Sequence, residues 1–151
     1  MDRPIPNGLR TTFLIHLVIA AILGVALFLV PGRTLNLLGW VPDFVQLPNT
    51  DQSVPGQTFV DPVVTRTLGA ALLALALSSW RGWSGSAPAR KWGEVALLVE
   101  LETVFNALGV LAVLAGVFLT NRSMPVIGWL LLVVQIAFAV AFGMAWRQSR
   151  A

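Results

Sequence analysis

The chain predicts an all-α fold: a four-helix transmembrane bundle of antiparallel up-down topology, with a long outer loop between helices one and two. Three observations carry this expectation. Apolar stretches at 12–30, 63–80, 94–119 and 126–146 each come close to or exceed the roughly 20 residues that a helix needs to cross a hydrocarbon core. Hydrophobic residues make up 56% of the chain and charged residues 11%, against roughly 45–50% and 25% in an average soluble domain. Lys, Arg and Trp gather at the ends of the four stretches, where membrane interfaces favour them.

The first stretch resembles a secretory signal only in position. Its apolar run is too long, and Pro31-Gly32-Arg33 follows it without a small-residue cleavage pattern, so it reads as a retained helix. In the outer segment, 31–62, Arg33 to Trp40 carries Leu35, Leu37, Leu38 and Trp40, the pattern of a short interfacial helix, and Pro48 to Gly56 has turn chemistry. Arg81 to Gly93 is a short cytoplasmic turn. Thr120 to Pro125, with Asn121 and a Pro suited to opening a helix, is a tight outer connection, which makes helices three and four a hairpin. Little of the 151 residues is left over, so residues 1–151 form a single integral membrane domain with no room for a soluble one.

Lys and Arg near the helix ends set the orientation. Arg3 and Arg10, then Arg81, Arg90 and Lys91, then Arg147 and Arg150 fall on one side, while Arg33, Arg66 and Arg122 fall on the other with Asp43, Asp51 and Asp61. Both termini are therefore expected in the cytoplasm, at the cell's inner membrane. Trp80, Trp83, Trp92 and Trp146 mark the inner interface, and Trp40 and Trp129 the outer.

Each span also carries small residues three or four apart, which let helix backbones approach where lipid supplies no hydrophobic drive. The expected seams are His16, Ala20 and Gly24; Arg66, Ala70, Ala74 and Ser78; Glu102, Asn106, Gly109 and Gly116; and Gln135, Ala139 and Gly143. Every seam includes a polar residue, and such residues at membrane depth turn inward or mark function. Arg66, Glu102, Asn106 and Gln135 are thus expected to form an intramembrane network, with an Arg66–Glu102 pair at its centre. This network reads either as a structural lock on helix register or as part of a transport path or ligand site. Glu100 and His16, at comparable depth in the inner half, form a candidate proton or ligand site. Glu100 and Glu102 lie about 200° apart around their helix and cannot enter one pocket.

Several chemistries are excluded or unsupported. With no Cys and one His, the chain has no disulfide, thiolate centre or ordinary zinc site. No phosphate-binding loop and no Ser, His and Asp set at one depth is present. The basic residues form no aromatic-interleaved patch, which argues against nucleic acid. No cofactor is implied, since a lone His16 without a motif is weak support for haem or a pigment.

Pro31-Gly32-Arg33, Leu38-Gly39-Trp40 and Asp61-Pro62 running into Thr65-Arg66-Thr67-Leu68-Gly69-Ala70-Ala71-Leu72-Leu73 resemble small uncharacterised four-helix bacterial membrane proteins of the DoxX-like kind. The resemblance covers mainly helices one and two. It implies fold and location, and carries no catalytic residue with it.

Two function classes follow. The first is an accessory, assembly or partner-binding membrane subunit, within a larger complex or a homo-oligomer. The second is a small proton- or cation-coupled transporter or channel using Glu100 or Glu102. A holder of quinone, pigment or haem ranks third. The spans show no Gly/Pro interruption at the midplane, which favours the first class.

Overall fold

The computed structural model describes residues 5, 7–84, 92–120 and 124–150. Its helices are α1 (Asn7–Leu29), α2 (Pro31–Leu37), α3 (Pro62–Ser84), α4 (Trp92–Thr120) and α5 (Val126–Arg150). Strands β1 (Phe44–Gln46) and β2 (Ser53–Pro55) and a 3-10 turn at Gly56–Phe59 lie between α2 and α3. Four helices, α1, α3, α4 and α5, are long and apolar enough to cross a membrane. All four run past the predicted spans, α1 from residue 7 rather than 12, α3 to residue 84, α4 from 92 to 120 and α5 to residue 150. Apolar runs mark only the part of a helix matched to hydrocarbon, whereas its backbone bonding continues through polar ends such as Arg81 and Arg147.

The 31–62 segment is more ordered than turn chemistry implied. Pro31, whose fixed φ suits a first helical turn, opens α2. Thr34 Oγ1 donates to Ala26 O and Val30 O, both at 2.9 Å, and so ties α2 to the end of α1. The helix stops at Leu38, and Gly39 follows with φ +76°, a backbone conformation that costs glycine nothing. Asn36 Nδ2 then holds the returning chain by donating to Val41 O and Asp43 Oδ1. β1 and β2 pair antiparallel with Val45 opposite Val54, around a turn in which Asn49 takes φ 60°. A Cβ at Gly56 would collide with the Pro42 carbonyl, so only glycine fits where the hairpin closes. Asp61 caps α3, its Oδ1 accepting from Val63 N at 2.8 Å and Val64 N at 3.2 Å, with Pro62 at the first helical position.

Among the long helices, α1 packs most extensively on α3 and α4 on α5, and much smaller contacts join the two pairs through α1–α5 and α3–α4. Glycine sets the first pairing: a Cβ on Gly69 would lie 2.7 Å from Phe28 N and 2.9 Å from Gly24 O, so the two backbones nearly touch. At the other end of the pair, the ring of Phe13 lies where a side chain on Gly82 would stand. Leu9, Phe13, Trp92, Val95, Val99, Phe138 and Phe142 form the main apolar cluster. Trp92, expected at the interface, is buried in this cluster at 7% exposure, whereas Trp40, Trp80, Trp83 and Trp129 are exposed at helix ends. Large apolar side chains such as Ile22, Leu97, Leu111 and Leu130 stand more than half exposed along the helices, an outward apolar surface suited to lipid.

Candidate functional site

Three helices each deliver one polar side chain to the interior. His16 of α1 is 4% exposed, and Ser79 of α3 and Glu102 of α4 are fully enclosed. Ser79 Oγ lies 2.8 Å from His16 Nδ1 and donates to Glu102 Oε1 at 2.9 Å. Glu102 Oε2 lies 3.4 Å from the same imidazole nitrogen and makes no hydrogen bond among the described residues. Phe138 and Phe142 of α5 meet the imidazole edge to face, with ring centroids 4.7 and 5.8 Å away. All four long helices therefore converge on His16. One turn further along α4, Asn106 Nδ2 donates to the backbone carbonyl of Glu102 at 2.8 Å.

The residue types resemble a nucleophilic triad, but the geometry does not. A triad needs the acid on one imidazole nitrogen and the hydroxyl on the other, so that a proton can pass through the ring. Here both oxygens face Nδ1. Ser79 Oγ, enclosed and already donating to a carboxylate, has no path to a substrate. A planar macrocycle seated on His16 would have to displace Phe138 or Phe142. The arrangement can fix helix positions and hold a proton among three groups.

The structure corrects the expected pairings. Arg66 does not meet Glu102: it is exposed, and its Nε donates to Phe28 O at 3.3 Å, in the last turn of α1. The cause is the rotation of α3. Close packing of Gly69 on α1 turns Thr65, Gly69, Ala76, Ser79 and Gly82 inward, and Arg66, about 100° around from Thr65, points away. The same rotation carries the expected seam of Ala70, Ala74 and Ser78 off the α1 contact. His16 partners Glu102 rather than Glu100. Gln135 packs over Gly109, where a Cβ would stand 2.7 Å from Nε2, and its Oε1 is buried without a hydrogen bond among the described residues. Of the expected network, only Asn106 and Glu102 are joined.

Ser79 escaped the sequence reading because Ser78 fitted the small-residue spacing equally well, and a shift of one residue is a rotation of about 100°. The better signal was Gly69 and Gly82, which flank the true packing face. Arg3, Arg90, Lys91, Asn121 and Arg122, on which parts of the expected orientation and outer turn rest, lie outside the described residues.

Glu100 sits elsewhere. It is exposed and lines a cleft of about 720 Å³ between α3 and α4, together with Ser78, Arg81 and a mainly apolar wall. Compared with protein families, characterised proteins and solved structures, the chain shows no match.

Proposed function

We propose that the chain is a polytopic protein of the bacterial inner membrane and acts as an accessory, assembly or partner-binding subunit. On this reading it crosses the bilayer four times in alternating directions, with both termini cytoplasmic. Contacts that pair Gly24 with Gly69 and Phe13 with Gly82, and likewise Gly109 with Gln135 and Thr103 with Gly143, support antiparallel neighbours. The resemblance of the first two spans to DoxX-like proteins and the Lys and Arg distribution support the location and the orientation.

The observation that carries the functional reading is the closure of the His16, Ser79 and Glu102 set. A transported proton or cation needs its acid to meet water on each side in turn. These groups are enclosed at 0–4% exposure, spend their hydrogen bonds on one another and link three helices. Such a set fixes register. The segment between α1 and α3, by contrast, is folded and presents Leu37, Phe44 and Phe59 at 61–79% exposure, a surface suited to another membrane protein.

Reconstituted liposomes with an entrapped pH dye test this. Vesicles containing the protein are expected to leak protons no faster than empty ones. A pH-driven flux abolished by Glu100→Gln or Glu102→Gln would replace the accessory role with proton-coupled transport. The absence of Cys gives a clean background for topology: Asp51→Cys should label from outside intact cells, and Gln148→Cys only after permeabilisation.

A further inference from the structure

The α3–α4 cleft has a length and a polarity that specify an occupant. Its lining runs from Ala71 to Arg81 on α3 and from Leu97 to Leu108 on α4, about 15 to 17 Å at 1.5 Å per residue, or one half of a hydrocarbon core of about 30 Å. The three polar lining residues, Ser78, Arg81 and Glu100, all lie about 8 to 12 Å from the middle of their helices, on the same side. Toward the middle the wall is apolar, with Ala74, Leu75, Phe105 and Leu108. The cleft is therefore an amphiphile's shape cut into one leaflet, with a polar end near the interface and an apolar end that stops at the midplane.

One group at the polar end calls for a partner. Glu100 is exposed, without an ion pair among the described residues, at a depth where a carboxylate beside acyl chains is costly. The Ser78 hydroxyl, at the same end, is buried beside the Glu102 carboxylate rather than offered to the cleft. A crossing helix from another protein would need a groove along the whole span, and this one covers half. The volume, about 720 Å³, lies within the range of about 300–1,000 Å³ typical of small-molecule sites.

We propose that this cleft binds one phospholipid with a primary-amine headgroup. The phosphate lies at the Arg81 end, the ammonium folds back from it onto Glu100, and one acyl chain runs along the Ala74 and Phe105 wall toward the midplane. A primary ammonium gives Glu100 a charge-assisted hydrogen bond that a quaternary choline cannot. The proposal rests on the membrane-spanning reading, and goes beyond the accessory role.

The test uses the full chain in nanodiscs holding equal amounts of ethanolamine- and choline-headed lipid of matched chains, followed by native mass spectrometry of the released protein. One ethanolamine lipid per chain should survive release, in roughly tenfold preference over the choline lipid. Glu100→Gln should bring that preference to within about twofold, and Ala74→Phe, which fills the cleft from an exposed position, should remove the retained lipid. Ala71→Phe serves if Ala74→Phe lowers helix content by circular dichroism. Equal retention of the two lipids, an unchanged preference in Glu100→Gln, lipid retained in both filled variants, or a second polypeptide in the cleft would each overturn the proposal. Failure to enter nanodiscs would instead overturn the membrane reading on which it rests.

Discussion

Ser79→Ala removes a single hydroxyl from the meeting point of three helices. Ser79 Oγ contacts His16 Nδ1 at 2.8 Å and donates to Glu102 Oε1 at 2.9 Å, so its loss unties two interhelical hydrogen bonds. Within membranes such bonds contribute about 0.6 kcal/mol on average and up to about 1.7 each, which gives about 1.2 to 3.4 kcal/mol for two. Part of this is recoverable. His16 Nδ1 and Glu102 Oε2 already stand 3.4 Å apart, and a shift of roughly half an ångström would bring them within hydrogen-bond distance. The expected loss is therefore about 1–2 kcal/mol, a five- to thirtyfold fall in the folded-to-unfolded ratio. Denaturant titration in mixed micelles, followed by helical circular dichroism, measures it. Glu102→Leu completes the cycle, because it removes the acceptor of the Ser79 hydroxyl and supplies no new one. The two substitutions together should cost at least about 0.5 kcal/mol less than the sum of their separate costs. A Ser79→Ala protein as stable as the wild type, or strictly additive losses, would refute the bridge.

Gly69→Ala puts a methyl 2.7 Å from the Phe28 backbone nitrogen, which cannot move aside as a side-chain tip can, and should destabilise by about 1–3 kcal/mol in the same titration. Gly116→Ala, whose methyl meets nothing within 4 Å, should be neutral or stabilising by up to about 1 kcal/mol. Asp61→Ala removes the acceptor for two amides at the start of α3, and should cost about 0.5–2 kcal/mol and speed amide exchange at Val63 and Val64. Arg66→Gln should lose no more than about 1 kcal/mol, because this side chain caps the end of α1 from an exposed position rather than neutralising a buried acid. A loss of 3 kcal/mol or more, the range for breaking a buried ion pair, would restore the Arg66–Glu102 pairing.

The spans were readable because apolar length is a local property of the chain, and each predicted stretch overlaps one long helix. The inward direction of His16, Ala20 and Gly24 was readable as well, since those three residues share one face of α1 and all are buried. The face of α3 was not. Small residues lie on both sides of that helix, at Gly69, Ala76 and Ser79 and again at Ala70, Ala74 and Ser78, so spacing alone gives two answers about half a turn apart. Only the partner backbone at Phe28 chooses between them. The hairpin at 44–55 was hidden for a related reason: three-residue strands are too short to show alternation, and their register depends on Gly56 fitting against Pro42.

The polar bridge and the lipid-facing cleft follow from the same choice. Had Ser78 rather than Ser79 turned inward, Ala74 and Ala70 would have packed on α1 and would not line the space beside α4. With Gly69 and Gly82 taking the α1 contact instead, Ser79 reaches Glu102 while Ala71, Ala74 and Ser78 are left facing α4. Small side chains opposite Leu101 and Phe105 do not fill that space, so α3 and α4 touch little and a cleft opens between them. Glu100 and Glu102 then divide by geometry, about 200° apart on one helix: one bonded within the bundle, the other offered to whatever enters the cleft. Enlarging Ala74 should therefore affect only what Glu100 binds, and removing the Ser79 hydroxyl only what holds the helix pairs together. A variant at either position that changed both would mean that the bridge and the cleft are not separate parts of the molecule.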